Sequence, residues 1–361
     1  MKTLLVVFGV LIQSFFCKGF VFPDQFYTAL LENLNGFKRN ETKFVNNSFE
    51  IDDNNNEIKQ DNEKKINKYV MKLENRFDKI EINVNNLLTE DCGNVRPTWR
   101  GEERGIRQSE LNEFPFYVDL IYENDTENST TNSMHCGGTL INDRFVVTAA
   151  SCIESKPNII AVRLGDHDLD TNPDCYSGIK NKHICAPPTV DLKIENKDII
   201  IHNLYRSNST KPRKYDIALI RLPQKVNFTS AIEPVCLPIK ESYRKQANLT
   251  LIGFPQRNKL KSRTNTLSSL TIPYVVNAHC QNLLQTSIGN DYLCANGQNL
   301  ANYCQGYGGS GLFYVIVEDY RLRWILASVV SYDMNICTEN YLPKVFTRVE
   351  FHNSWILENI K

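Results

Sequence analysis

The stretch His135-Cys136-Gly137-Gly138-Thr139-Leu140-Ile141, followed across Asn142–Arg144 by Phe145-Val146-Val147-Thr148-Ala149-Ala150-Ser151-Cys152, decides how this chain reads. Its two apolar runs are short, rich in Val, Ile and Phe, and separated by a polar turn, which is the texture of strands. Outward from it the same texture recurs at Phe116–Tyr122, Gly138–Asn142, Phe145–Thr148, Ile159–Leu164, Ile217–Arg221, Leu249–Gly253, Gly311–Val317, Trp324–Val330 and Lys344–Val349. Many short strands with Gly, Pro, Asn and Asp between them predict an antiparallel sandwich or barrel. Phe351–Ile360 reads as a closing helix.

Three further blocks follow in order. Tyr215-Asp216-Ile217-Ala218-Leu219-Ile220-Arg221-Leu222 is the first, Cys304-Gln305-Gly306-Tyr307-Gly308-Gly309-Ser310-Gly311-Leu312 the second, and Pro343-Lys344-Val345-Phe346-Thr347-Arg348-Val349 the third. With the opening stretch they resemble, in order and spacing across roughly Cys92–Lys361, the chymotrypsin-like (trypsin-family) serine proteases. The resemblance implies an all-β fold of two antiparallel six-stranded β-barrels with a C-terminal helix. It is similar in particular to the arthropod clip-type proteases and their inactive homologues of haemolymph or venom. Carried over, the family's pairings imply disulfides Cys136–Cys152, Cys280–Cys294 and Cys304–Cys337. Cys175–Cys185 resembles the extra loop bridge of the clip type, and Cys92–Cys236 would tether the N-terminal segment.

The chemistry departs from the pattern. The resemblance implies a histidine base, a serine nucleophile and a buried aspartate that orients the imidazole. Asp216 stands at the aspartate position. The histidine position is Ser151, which has no group able to accept a proton near neutral pH, and the nucleophile position is Gly308, which has no side chain. Ser310 lies two residues beyond and off the expected geometry. Of the six histidines (His135, His167, His183, His202, His279, His352) none falls at the base position, and His135 alone reads as close to the cleft. The aspartate that would receive a new N-terminus is Tyr307, and the stretch that would supply it is Glu103-Arg104-Gly105-Ile106. Both halves of that ion pair are absent together. The pocket positions read as Asn302, Asp333 and Lys344, and the last two could pair across the pocket entrance. The carboxylates from Asp166 to Asp174 admit two readings, a calcium site of the family kind or a solvated acidic loop. No metal or other cofactor is assigned.

The first ninety residues have a different texture. Met1–Gly19 reads as a secretory signal, with Lys2 before the apolar Leu4–Phe16. Residues 20–91 form an extension without cysteine, rich in Asn, Lys and Glu. Tyr27, Leu30, Leu34 and Phe37 suggest a short helix, and residues 40–62 a flexible linker. Ile66, Val70, Leu73, Phe77, Ile80, Val84 and Leu87 make a heptad seam over about three repeats. It predicts an amphipathic helix over residues 64–88, either lying on the following domain or self-associating. The six-cysteine clip module is absent from this position.

Eleven cysteines less Cys17 leave an even ten, which suits an oxidising compartment. Sequons begin at Asn40, Asn46, Asn124, Asn128, Asn208, Asn227 and Asn248. Lys plus Arg and Asp plus Glu both number 41, so the net charge of zero argues against a nucleic-acid footprint. No Lys/Arg cluster marks a membrane surface. The expectation is a secreted glycoprotein without catalysis that regulates a protease cascade by binding. The resemblance implies prophenoloxidase activation and melanisation, with proteins of that cascade as partners. Altered clip and activation segments favour inhibition, as a venom component would produce. An activating cofactor and a secreted adhesion or lectin-like defence protein are the alternatives. Arg96, Arg100, Arg104 and Arg107 are candidate processing sites.

Overall fold

A computed structural model describes residues 91–96, 105–123, 135–154, 158–177, 183–206, 212–238, 248–257, 262–296, 306–318, 320–331 and 342–361. The signal segment, the extension with its heptad seam, Asn302, Asp333 and five of the seven sequons lie outside them.

The β-branched runs form strands wherever their apolar side chains can be buried. The strands are β1 (Gly105–Gln108), β2 (Tyr117–Tyr122), β3 (Gly137–Leu140), β4 (Phe145–Thr148), β5 (Ile159–Leu164), β6 (Cys175–Ser177), β7 (His183–Cys185), β8 (Val190–Lys193), β9 (Ile199–Ile201) and β10 (Ala218–Arg221). The second half adds β11 (Asn248–Gly253), β12 (Gln256–Arg257), β13 (Ser262–Arg263), β14 (Ser268–Val275), β15 (Tyr292–Asn296), β16 (Gly311–Glu318), β17 (Arg321–Val329) and β18 (Pro343–Arg348). Three helices join them: α1 (Ala150–Glu154), α2 (Asn277–Leu284) and α3 (Asn353–Asn359).

The second half is a closed six-stranded barrel. Its strands run β14-β11-β16-β17-β18-β15 and β15 pairs back onto β14, with β1 added outside β14. The first half differs from the expected six-stranded barrel. It is a curled sheet of seven strands, β8-β5-β2-β3-β4-β10-β9, without a closing ladder among the described residues. Its edge strands are short: β8 and β9 hold four and three residues. Each sheet buries its inner face. Val118, Leu120, Val146, Val162 and Leu219 fill the first core; Leu249, Leu251, Leu270, Leu312 and Tyr314 fill the second.

Aromatic side chains knit the halves together. Phe116, just before β2, meets Phe313 of β16 with ring centroids 4.8 Å apart, and Phe114 meets Trp324 of β17 edge-on at 5.6 Å. Such pairs contribute about 0.5–1.5 kcal/mol beyond their buried area. The N-terminal segment is stitched to the same place. Cys92 is bonded to Cys236, Gly93 N donates to Pro234 O, and Trp324 N donates to Gly93 O. Gly93 has φ +64°, and a Cβ there would strike the Trp324 carbonyl, so only glycine serves.

Two imidazoles are buried behind α3. His202 stacks on Tyr215 at 4.9 Å and meets His352 edge-on at 5.2 Å, with Trp355 against its other side. His352 Nε2 has no partner, and burial, with His202 beside it, pushes its pKa down to about 3. Unfolding restores an ordinary value near 6.5, so the unfolded chain takes up a proton that the folded chain refuses. Stability from this residue is therefore present above pH 6.5 and lost on acidification. Between pH 7 and pH 5 the wild type should lose about 2 kcal/mol relative to His352→Phe, measured by paired denaturant curves. An identical response of the two proteins would contradict this.

Candidate functional site

The site residues sit where the two sheets meet. After β4 the small pair Ala149-Ala150 lets the chain turn into α1, and Cys136–Cys152 ties that helix to β3. Ser151 is therefore fully buried at the start of α1. Asp216 is aimed at it by a tight turn, in which Tyr215 takes φ +55° and Ile217 N donates to Tyr215 O.

The Asp216 carboxylate, wholly buried, is met directly. Ser151 N donates to Oδ1 at 2.7 Å and Ser151 Oγ donates to Oδ2 at 2.8 Å. Burial raises the Asp216 pKa, while hydrogen bonds from Ser331 and Ser151 and the charge of Arg213 act against that rise. The hydroxyl and amide of one serine thus engage both oxygens of the carboxylate. Ser331 and Arg213 were not found from sequence, because both reach the carboxylate through loops whose path no local pattern fixes.

Gly308 lies in the turn before β16, and the backbone there is pinned. Gly137 N donates to Gly308 O at 2.8 Å, Gly309 N to Val330 O at 2.7 Å, and Val330 N to Ser310 O at 3.0 Å. Ser310 is fully buried, and its Oγ is turned towards Gly137 and Gly253, where it has no hydrogen-bond partner. Tyr307 is fully buried in the second core, its ring against Gly253. Gly105 and Ile106 of the expected activation stretch are strand residues, paired with Thr271 and Leu270 of β14. His135 is half-buried ahead of β3.

Other predicted positions are scattered. Lys344 lies on β18 opposite Ala295, half-buried, and its suggested partner Asp333 is outside the described residues. The sulfurs of Cys92–Cys236, Cys136–Cys152, Cys175–Cys185 and Cys280–Cys294 are bonded; Cys304 and Cys337 are outside the described residues. Asn227 is exposed, and Asn248 opens β11 half-buried. Arg96 is held by Glu233 at 2.7 Å and Arg107 by Glu113, with both Glu113 oxygens engaged. Among the described residues no three His, Cys, Asp or Glu side chains converge on a metal position, and no helix is long and apolar enough to cross a membrane.

A closed barrel and a curled half-barrel followed by a C-terminal helix make the chymotrypsin-like serine protease fold. The chain belongs to the trypsin family: the family model described as Trypsin matches residues 103–356. It is 32% identical over 71% of its length to CLIP domain-containing serine protease B9 of Anopheles gambiae, covering 63% of that protein. It is also 32% identical over 71% of its length to Melanization protease 1 of Drosophila melanogaster, covering 65% of it. With Phenoloxidase-activating factor 1 of Holotrichia diomphalia it shares 33% identity over 69% of this chain and 67% of the relative. The chain thus spans just under two thirds of the first two relatives. The crystal structure of the drosophila Grass clip serine protease of the Toll pathway superposes with a TM-score of 0.62 at 25% identity, covering 75% of this chain and 74% of that one.

Removing the hydroxyl in Ser151→Ala should destabilise the domain by about 1–3 kcal/mol, since Asp216 keeps its burial and loses a donor. The loss should shrink in an Asp216→Asn background by at least about 0.5 kcal/mol, read from a double-mutant cycle of unfolding energies. Additive effects would show that the two side chains do not interact.

Proposed function

We propose that this chain is a secreted, non-catalytic member of its family that regulates a protease cascade by binding. One observation carries the reading. The Asp216 carboxylate is satisfied by the hydroxyl and amide of Ser151, and no side chain stands at Gly308. A serine hydroxyl cannot act as the general base near neutral pH, and glycine cannot form an acyl-enzyme. The burial of Tyr307 supports the same reading, because a neutral ring there needs no incoming ammonium group.

What such a chain retains is a protease-shaped surface. It docks where an active protease, its zymogen or a cofactor docks, and it reduces the flux through that step. Relatives named for melanisation and phenoloxidase activation favour the prophenoloxidase pathway. The leader-like Met1–Gly19, the even set of mature cysteines and the sequons support secretion.

Purified full-length chain should give no turnover of broad chromogenic peptides and no labelling by an active-site phosphonate. Added to haemolymph undergoing melanisation, it should lower phenoloxidase activity in proportion to its concentration. Turnover or labelling would defeat the non-catalytic reading. An increase in phenoloxidase activity would identify an activating cofactor, and no change would move the protein to the adhesion or lectin-like class.

A further inference from the structure

β2, β5 and β8 lie side by side, and their register sets Asp119, Arg163 and Asp191 in one row across the sheet. Directly opposed residues share a face of the sheet. Arg163 forks onto Asp191, Nε to Oδ1 at 2.7 Å and Nη2 to Oδ2 at 2.8 Å, while Nη1 is 3.4 Å from Asp166 Oδ2. Asp166 follows Gly165 at the end of β5. Asp174 returns at the far end of the same loop, its carboxylate filled by loop donors. Oδ2 accepts from His167 N at 2.7 Å and Asp168 N at 3.1 Å, and Oδ1 accepts from Thr171 Oγ1 at 2.6 Å. Two carboxylates, Asp191 and Asp166, therefore share one guanidinium, and the charges of Asp174 and Asp119 act on Asp166.

The imbalance falls on Asp166. It is 7% exposed, and its Oδ1 has no hydrogen-bond partner. The residue borders a pocket with room for about one water, walled also by Glu113, Tyr117 and His167. Glu113 is neutralised by Arg107, and His167 Nε2 donates to the Ser109 carbonyl at 2.8 Å. Neither wall residue hydrogen-bonds the free oxygen of Asp166.

A calcium ion, one of the two readings of this loop, does not fit the donors. Calcium needs about 6–8 oxygens. Both oxygens of Asp174 already accept N–H or O–H donors, and Oδ2 of Asp166 faces a fixed guanidinium that repels a cation. Of the four oxygens of Asp166 and Asp174 one remains, and among the described residues no three His, Cys, Asp or Glu side chains converge on a metal position. We propose that Arg163 and one proton on Asp166 together hold the loop Gly165–Asp174, so that the loop answers to acid and not to calcium.

A proton suits the place because it brings no coordination demand and adds a donor where the orphan oxygen lacks one. Burial and the charge of Asp174 push the Asp166 pKa up to about 6, with Arg163 pulling the other way. In the unfolded chain the carboxyl returns to about 3.9, so the folded state takes up the proton first as pH falls. Its contribution to stability is complete below about pH 4 and is lost as pH rises through 6.

The test uses the full-length chain. Millimolar calcium and EDTA should both leave its melting temperature unchanged at neutral pH. From about pH 7 to about pH 4 the wild type should be stabilised relative to Asp166→Asn, the ratio of their unfolding constants changing by tens of fold to about a hundredfold. Hydrogen exchange at the His167 and Asp168 amides of the wild type, corrected for intrinsic rates, should slow on acidification and needs no variant. A melting temperature raised several degrees by calcium and lowered by EDTA would overturn the proposal. So would a constant ratio across pH, or amide protection that stays flat or falls.

Discussion

The two sheets are joined by a backbone clasp that leaves no room for side chains. Gly137 N reaches across to Gly308 O, and within the second half Gly309 N reaches Val330 O and Val330 N reaches Ser310 O. Gly309 takes φ +73°, and a Cβ there would strike Gly137 O and Thr148 Oγ1. A Cβ on Gly137 would in turn meet Ser310 Oγ and the Tyr117 hydroxyl at 2.7 Å. Glycine is therefore demanded at 137 and 309 by packing alone. Position 308 contributes only its carbonyl to the clasp. The loop geometry that presents a nucleophile in a protease is thus held by atoms that are indifferent to whether a nucleophile is present.

Buried charge is handled in the same economical way elsewhere. Glu113 is wholly buried and takes both arms of Arg107, with Glu110 N as a third donor. Arg348 is nearly buried and binds Glu350 and the Asn290 carbonyl. Removing one partner from such a pair leaves an uncompensated ion costing about 3–5 kcal/mol, so these residues are fixed in pairs. Asp216 follows the rule with neutral donors in place of a cation. Asp166 departs from it, since its nearest cation is already committed to a second aspartate.

Strands with strong β-branched runs were legible in the sequence: Phe145–Thr148 and Ile159–Leu164 fall within the predicted bounds. Less regular ones were not. β14 contains Pro273 and opens on two serines, β1 is Gly-Ile-Arg-Gln, and β9 is three isoleucines before a histidine. Their pairing comes from partners far along the chain, which no local pattern records. Open curling of the first sheet was equally hidden, because closure depends on a ladder between strands far apart in the chain. Within the site, the blocks around Ser151 and Asp216 single out two residues that do meet. The row Asp119–Arg163–Asp191 could not be found, since it exists only once three strands are in register.

The link between carboxylate and nucleophile explains why a single substitution would be a weak probe of the proposed function. An imidazole works in this fold because one ring nitrogen donates to the aspartate while the other accepts from an alcohol. In the proposed reading Ser151 supplies the donation alone, and Gly308 offers no group to donate onwards. Restoring a histidine at 151 would return a base facing no alcohol, and restoring a serine at 308 would return an alcohol facing no base. Residues that act as a unit lose function together, and neither repair would be felt without the other. The fold has no such coupling: its clasp, its aromatic seam and its paired ions each stand without the two missing groups. A protein of this kind can keep the shape of a protease while its use rests on what that shape contacts.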